Sequence, residues 1–179
     1  GVRCIHCHDP HTSRLRAEKN ELCLGCHKGN IDPATHSHHD LTRSGGKCAN
    51  CHMPLTTYMQ RHPRRDHGFT IPDPSLTRDY EIPNACNRCH EDKSVQWAID
   101  WTGKWYGERM DRHTQRRARV LAEARRVRDG ADGKLAALLK KETSKFWRSA
   151  ALGLSGPWLQ TNPALQEALS DSLADEDPL

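Results

Sequence analysis

All 8 cysteines of this 179-residue chain fall in pairs spaced C-x-x-C, and a histidine follows each pair directly. The pentads are CIHCH, CLGCH, CANCH and CNRCH. Their thiols are Cys4/Cys7, Cys23/Cys26, Cys48/Cys51 and Cys86/Cys89, and their imidazoles His8, His27, His52 and His90. No cysteine is left over for disulfides between distant segments. With 12 His in 179 positions, four such placements by chance have odds on the order of 2 in 100,000 under a composition prior. Zinc knuckles built from C-x-x-C need no histidine at that position, and neither does a thioredoxin-like redox pair. C-x-x-C-H is the attachment signature of haem c. The two thiols bond vinyl groups on one edge of the porphyrin, and the next histidine lies beneath the ring as proximal iron ligand. Four covalent haems c are expected.

The proximal ligands lie 19, 25 and 38 residues apart, so residues 1–93 hold all four haems with little protein between them. The porphyrins must then form the hydrophobic core of that half, close enough for electrons to hop between neighbours. Composition agrees: only 35% of residues are hydrophobic, and a segment so poor in apolar side chains needs a cofactor to build around. The expected fold is mainly α with much irregular loop. Short helical turns should follow each motif, with loops elsewhere, in keeping with Gly45-Gly46, Pro54, Pro63, Pro72, Pro74 and Pro83. No run of 18 apolar residues exists to span a membrane, and from the opening Gly1-Val2-Arg3-Cys4 no signal peptide is expected within these residues. Two propionates per haem offset the formal charge of +4. Arg61, Arg64, Arg65 and Arg88 are near enough in sequence to serve as their counter-charges.

The sixth ligand separates electron transfer from catalysis at iron. Beyond the four proximal histidines stand His6, inside the first pentad, and His11, His36, His38, His39, His62, His67 and His113, against only Met53, Met59 and Met110. Bis-histidine ligation, which gives lower potentials than His/Met, is therefore expected at most irons. His11 lies three residues past a proximal ligand and reaches a neighbouring haem more easily than its own. His36, His38 and His39 lie midway between two motifs. His67 sits in an extended run with a long 52–86 spacer from which to reach back. His6, His62 and His113 read as surface or structural histidines.

The runs GVRCIHCHDPH, LCLGCH, CANCHMP, RRDHGFTIPDPS and IPNACNRCHEDKSVQWA resemble, in order, a family of bacterial multihaem cytochromes c. These are the doubled-CxxCH proteins whose haem domain is followed by tetratricopeptide or HEAT-type helical repeats. The likeness covers residues 1 to about 106. It implies that His11, His36, His38 and His67 are the recurrent non-motif ligands, ahead of His39 and His62. Relatives of this kind carry further CxxCH motifs upstream, so the resemblance also implies a piece of a longer polypeptide. One haem could then take its ligand from sequence outside this chain or from another subunit.

From residue 94 the composition changes: cysteine vanishes, His113 is the last histidine, and helical periodicity appears. A domain boundary is expected there, dividing a tetrahaem domain at 1–93 from a helical one at 94–179. Trp97, Trp101 and Trp105 recur at four-residue spacing, a stripe for one helix face that packs as core or sets a Trp edge against a haem. Val120, Leu121, Ala124 and Val127 mark a second helix among seven arginines. Those arginines read as a solvated face, or as partners for propionates or an acidic protein. Nucleic acid is excluded, since no stacking aromatics are interleaved with the charge. Leu135/Leu138/Leu139, then Phe146/Trp147/Ala150/Ala151/Leu154, then Leu165/Leu169/Leu173 mark three further helices, similar to HEAT-like repeats. The last residues read as an acidic turn before a next helix, so this domain is expected to be truncated.

The sequence thus points to an electron carrier with low-potential haems, working outside the cytoplasm in the periplasm, at the outer-membrane surface or extracellularly. Its expected partners are other redox proteins or cytochromes, with a homo-oligomer or filament as an overlay. The alternative is a multihaem reductase or oxidase of small nitrogen or sulfur compounds with one open iron.

Overall fold

The computed structural model of the chain describes residues 2–174. The structure is mainly helical, with one small sheet. In chain order the elements are α1 (Cys4–Cys7), α2 (Glu21–His27), α3 (Pro33–Ser37), α4 (Cys48–His52), β1 (Leu55–Tyr58), β2 (His62–Arg65) and α5 (Pro74–Tyr80). They continue with α6 (Val95–Tyr106), α7 (His113–Arg125), α8 (Ala131–Lys141), α9 (Lys145–Gly153) and α10 (Pro163–Leu173). The acidic turn expected at residues 175–179 lies outside the described residues.

Packing gathers the chain into two units: residues 1–75 with 83–99, and residues 76–82 with 100–179. The change of composition lies at 93/94, whereas this division falls within α6, between Ile99 and Asp100. The second unit also takes the segment 76–82 back from the middle of the first half.

The first unit is built from short turns. Three of them lie on the pentads themselves, as α1, the end of α2, and α4, rather than after them as expected. α3 opens with Pro33 at its first position, and the Asp32 carboxylate accepts from the Ala34 amide, a conventional N-cap. It ends at His38 in the left-handed conformation, φ 54°, which turns the chain sharply after His36. The hairpin β1–β2 pairs Leu55 with Arg65 and Tyr58 with His62. Its turn places Met59 and Gln60 at φ 49° and 63°, the sense that matches strand twist. The Arg65 guanidinium donates to the carbonyls of Ala49 (3.0 Å) and Met53 (3.2 Å), so the hairpin is tied to α4 and the residue after it. Asn20 joins α2 to the turn before α4: its amide donates to Gly46 O (2.8 Å) while its carbonyl accepts from Cys48 N (2.9 Å).

In the second unit α8 packs against α7, α9 and α10. Its apolar stripe, Ala131, Leu135, Ala136 and Leu139, is buried together with Ala124, Ala151 and Leu165. The three apolar helices expected between residues 135 and 173 thus correspond to α8–α10. Phe146 faces outward instead, 65% exposed, while its neighbour Trp147 takes the Arg117 guanidinium over its ring at 4.1 Å. The arginine run is neither a bare solvated face nor reserved for propionates. Arg117 pairs with Glu142 at 2.9 Å, the side chains only 11% and 8% exposed. Arg126 donates to Tyr80 O and to the Glu81 carboxylate. Arg128 donates to Asp79 O at 3.3 Å. Tyr80 in turn donates from its hydroxyl to Glu123 at 2.8 Å. The segment 76–82 is held to α7 by these bonds.

Candidate haem sites

In a helical turn, residues i, i+3 and i+4 are surface neighbours. The turns over the pentads therefore gather two thiols and an imidazole on one side, as a porphyrin edge requires. His8 N donates to Cys4 O at 2.8 Å, closing this turn in the first pentad. The fourth pentad lies outside a named helix, yet His90 N donates to Cys86 O at 3.0 Å and makes the same turn. None of the eight thiols is in a disulfide. Cys7, Cys23, Cys48, Cys51 and Cys86 are half-buried, while Cys4, Cys26 and Cys89 are exposed.

Three proximal imidazoles face a second one. The ring centroids of His8 and His67 lie 6.3 Å apart, those of His36 and His52 6.0 Å apart, and those of His39 and His90 6.1 Å apart. A metal–nitrogen bond of about 2 Å on each side, plus half the width of each ring, places axial imidazole centroids roughly 6 Å apart. The pairs are thus spaced to hold one iron each. Among the described residues no three His, Cys, Asp or Glu converge as a metal centre. Two protein ligands per site suit an iron whose other four nitrogens come from a porphyrin, and do not suit tetrahedral zinc.

Hydrogen bonding sets the ring tautomers the same way. His8 Nδ1 bonds Ser13 O (2.9 Å), His52 Nδ1 bonds Thr70 O (2.8 Å), and His67 Nδ1 bonds Arg65 O (2.9 Å). His39 Nδ1 bonds Ser37 O. A carbonyl oxygen only accepts, so in each case Nδ1 donates its proton and Nε2 presents a lone pair. His6 is the reverse case: its Nδ1 accepts from Arg3 N at 3.2 Å, which leaves Nε2 protonated and the ring unsuited to iron.

Burial first, then the charges of Cys86, Cys89 and Cys48, push the Cys51 thiol up to about 11. Burial, followed by Cys48 and Cys7, also raises Cys23. The same influences show that the pentads abut in chain order: Cys7 and Cys48 beside Cys23, Cys86 and Cys89 beside Cys51.

The second pentad departs from the pattern expected of all four. Cys26 and His27 lie together in the last turn of α2, and both are exposed, where His8, His52 and His90 are half-buried. No described imidazole faces His27. The physical reason is where α2 is anchored. Asn20, at its start, bonds the segment before α4 and so brings Cys23 against the neighbouring pentads. Cys26, a turn further on, lies past that anchor and reaches solvent. The turn still sets Cys23 and Cys26 three residues apart on one side, as two thioether bonds need, but the protein encloses only the Cys23 end.

The remaining candidates sort by position. His36 and His67 stand across from proximal histidines. His39, which the family resemblance ranks behind His38, stands across from His90, and His38 forms the left-handed end of α3. His11 has its amide bonded to the Asp9 carboxylate at 3.1 Å, and its ring faces no proximal imidazole at this spacing. Of the arginines expected near propionates, Arg65 is bound to the α4 carbonyls and Arg88 to Leu55 O, and Arg64 lies over Tyr58 at 5.4 Å. Trp97 rests against the His90 ring, centroids 4.8 Å apart. A Cβ on Gly45 would collide with the His39 imidazole. Neither contact is visible in a sequence motif; of the two positions, only Trp97 stands out in the sequence, by its spacing.

A profile of the doubled CXXCH motif matches residues 1–31, the stretch holding the first two pentads. No characterised protein matches the chain in sequence. Among solved structures, the outer cell wall cytochrome OcwA is similar at 19% identity with a TM-score of 0.45, over 97% of this chain and 39% of that one. The chain thus spans well under half the length of that structure. Among the described residues no helix is long and apolar enough to cross a membrane. The pentads and the doubled-motif match support covalent haem c and a multihaem c-type cytochrome.

Proposed function

We propose that this chain carries electrons outside the cytoplasm through four covalent, closely spaced and mostly bis-histidine haems. The observation that carries this reading is the set of facing imidazoles at 6.0–6.3 Å, each set containing a pentad histidine. Haem supplies a one-electron iron couple; the chain supplies its ligands and its surroundings. His8 with His67, and His52 with His36, hold two irons. The carbonyls of Ser13, Thr70 and Arg65 fix those rings and make them stronger donors, which favours ferric iron and a low potential. Pentads that abut in chain order give short steps between neighbours. The helices after residue 100 are read as a HEAT-like module that docks other redox proteins, other cytochromes or further copies of this chain.

Intact mass tests the cofactor directly. The holoprotein should exceed the polypeptide by four haems that acid–acetone fails to extract, and EPR should be dominated by low-spin iron. A mass without haem, with zinc present instead, sinks the reading.

Exposed His27 favours a second reading, a reductase of small nitrogen or sulfur compounds acting at that iron. Carbon monoxide separates the two: an electron carrier leaves the reduced spectrum unchanged, while an open iron binds one equivalent.

A further inference from the structure

We propose that residues 36–39 form a double strap, in which His36 caps the iron held by His52 and His39 caps the iron held by His90, making these two haems neighbours in space. The inference rests on the haem reading above and adds to it a ligand, His39, together with an order in space.

The geometry is local. Three residues of extended chain span at most about 11 Å, so two rings drawn from this segment cannot serve distant irons. His38 at φ 54° reverses the chain between them, which lets the His36 and His39 rings diverge toward different partners. His39 is held in place from three sides. Its amide donates to Ser37 Oγ at 3.3 Å, its Nδ1 bonds Ser37 O, and Gly45 leaves the space its ring fills. On the far side Trp97 backs the His90 ring at 4.8 Å. The third and fourth pentads meet independently of the strap, since Arg88 bonds Leu55 O just beyond α4. Ser37 and Gly45 are positioning residues: they touch the His39 ring and reach the iron only through it.

The test uses His39→Gly and His38→Gly in the full holoprotein. Position 38 already adopts the left-handed conformation that glycine prefers, so that variant keeps the fold. His39→Gly should retain four haems by mass and convert one from low-spin to high-spin, with free imidazole restoring the low-spin signal. Gly45→Ala should give the same conversion in part. Binding carbon monoxide to the exposed iron of His39→Gly locks it ferrous and diamagnetic during reoxidation. The low-spin EPR signal of the His36/His52 haem should then narrow as its neighbour falls silent. Four haems that all stay low-spin in His39→Gly overturn the strap, as does a high-spin haem in His38→Gly instead, or an EPR signal that fails to narrow. A wild-type mass lacking haem at the third and fourth pentads overturns the strap and the haem reading together.

Discussion

His67 and His8 each bond a backbone carbonyl through Nδ1 and stand 6.3 Å apart, ring to ring. His67→Ala should turn one low-spin haem high-spin and raise its potential, and free imidazole should reverse both changes. A titration in which every haem stays low-spin removes His67 from the ligand set. A residue of another kind governs the helical unit. Burial alone would raise Glu142, but the bonds from Arg117 and the Ser144 amide, with the Arg117 charge, outweigh it and hold the carboxyl below its usual range. A carboxyl depressed by folding stabilises above its unfolded value, and that contribution is lost as pH falls through the folded one. Arg117→Ala leaves a largely buried carboxylate with the Ser144 amide but no cation beside it, and should cost about 3 kcal/mol near neutrality. The loss should shrink on acidification, as Glu142 takes up a proton, and denaturant melts across the acid range measure it. The pentads could be read as five-residue words, because two thiols and an imidazole share one turn. The exposure of His27 could not, because all four words read alike, and it reflects where α2 is anchored through Asn20. Nor could the placing of the His39 ring opposite His90, which turns on one left-handed residue and on the space beside Gly45.

Elements were legible where an apolar stripe repeats with the helical period and a capping or turn residue bounds it. α8 and α10 show this: Leu135 and Leu139, or Leu165 and Leu169, face one way, and Asn162 caps α10 by accepting from the Ala164 and Leu165 amides. The hairpin β1–β2 was hidden for physical reasons. Its strands are four residues long and largely exposed, Pro63 lies inside one of them, and its turn uses Met59 and Gln60 where Asn-Gly is the usual signal. The hairpin nevertheless braces the site, because Arg65 reaches from it to the α4 carbonyls and the chain leaves it toward His67. Left-handed residues other than glycine cost free energy. Replacing Met59-Gln60 by Asn-Gly should therefore stabilise the holoprotein by about 0.5–1 kcal/mol per position and leave the haem spectrum unchanged. A lower thermal midpoint would show that these side chains make contacts worth more than the strain they carry.

At the scale of the molecule, the chain crosses between its two units more than once. Residues 76–82 belong with the helices after 100, while 83–99 belong with the pentads. A protease cut at 93/94, where cysteine and histidine run out, therefore leaves the fragment 1–93 with a segment that packs in the helical unit. That segment is held by the Tyr80 hydroxyl on Glu123, by Arg126 on Tyr80 O, and by Arg128 on Asp79 O with its guanidinium 5.0 Å over the Tyr80 ring. Tyr80 is buried, so withdrawing it exposes an aromatic surface as well as breaking bonds, a cost that dilution alone does not overcome. Protein nicked between Lys93 and Ser94 should accordingly elute as one red species from a native sizing column. It should separate into a red and a colourless fragment only in denaturant. Tyr80→Ala should weaken that hold, so that nicked protein parts under native conditions or at lower denaturant than the nicked wild type. A red fragment released from the nicked wild type without denaturant would show that 76–82 does not anchor the two pieces, and would favour a boundary at 93/94.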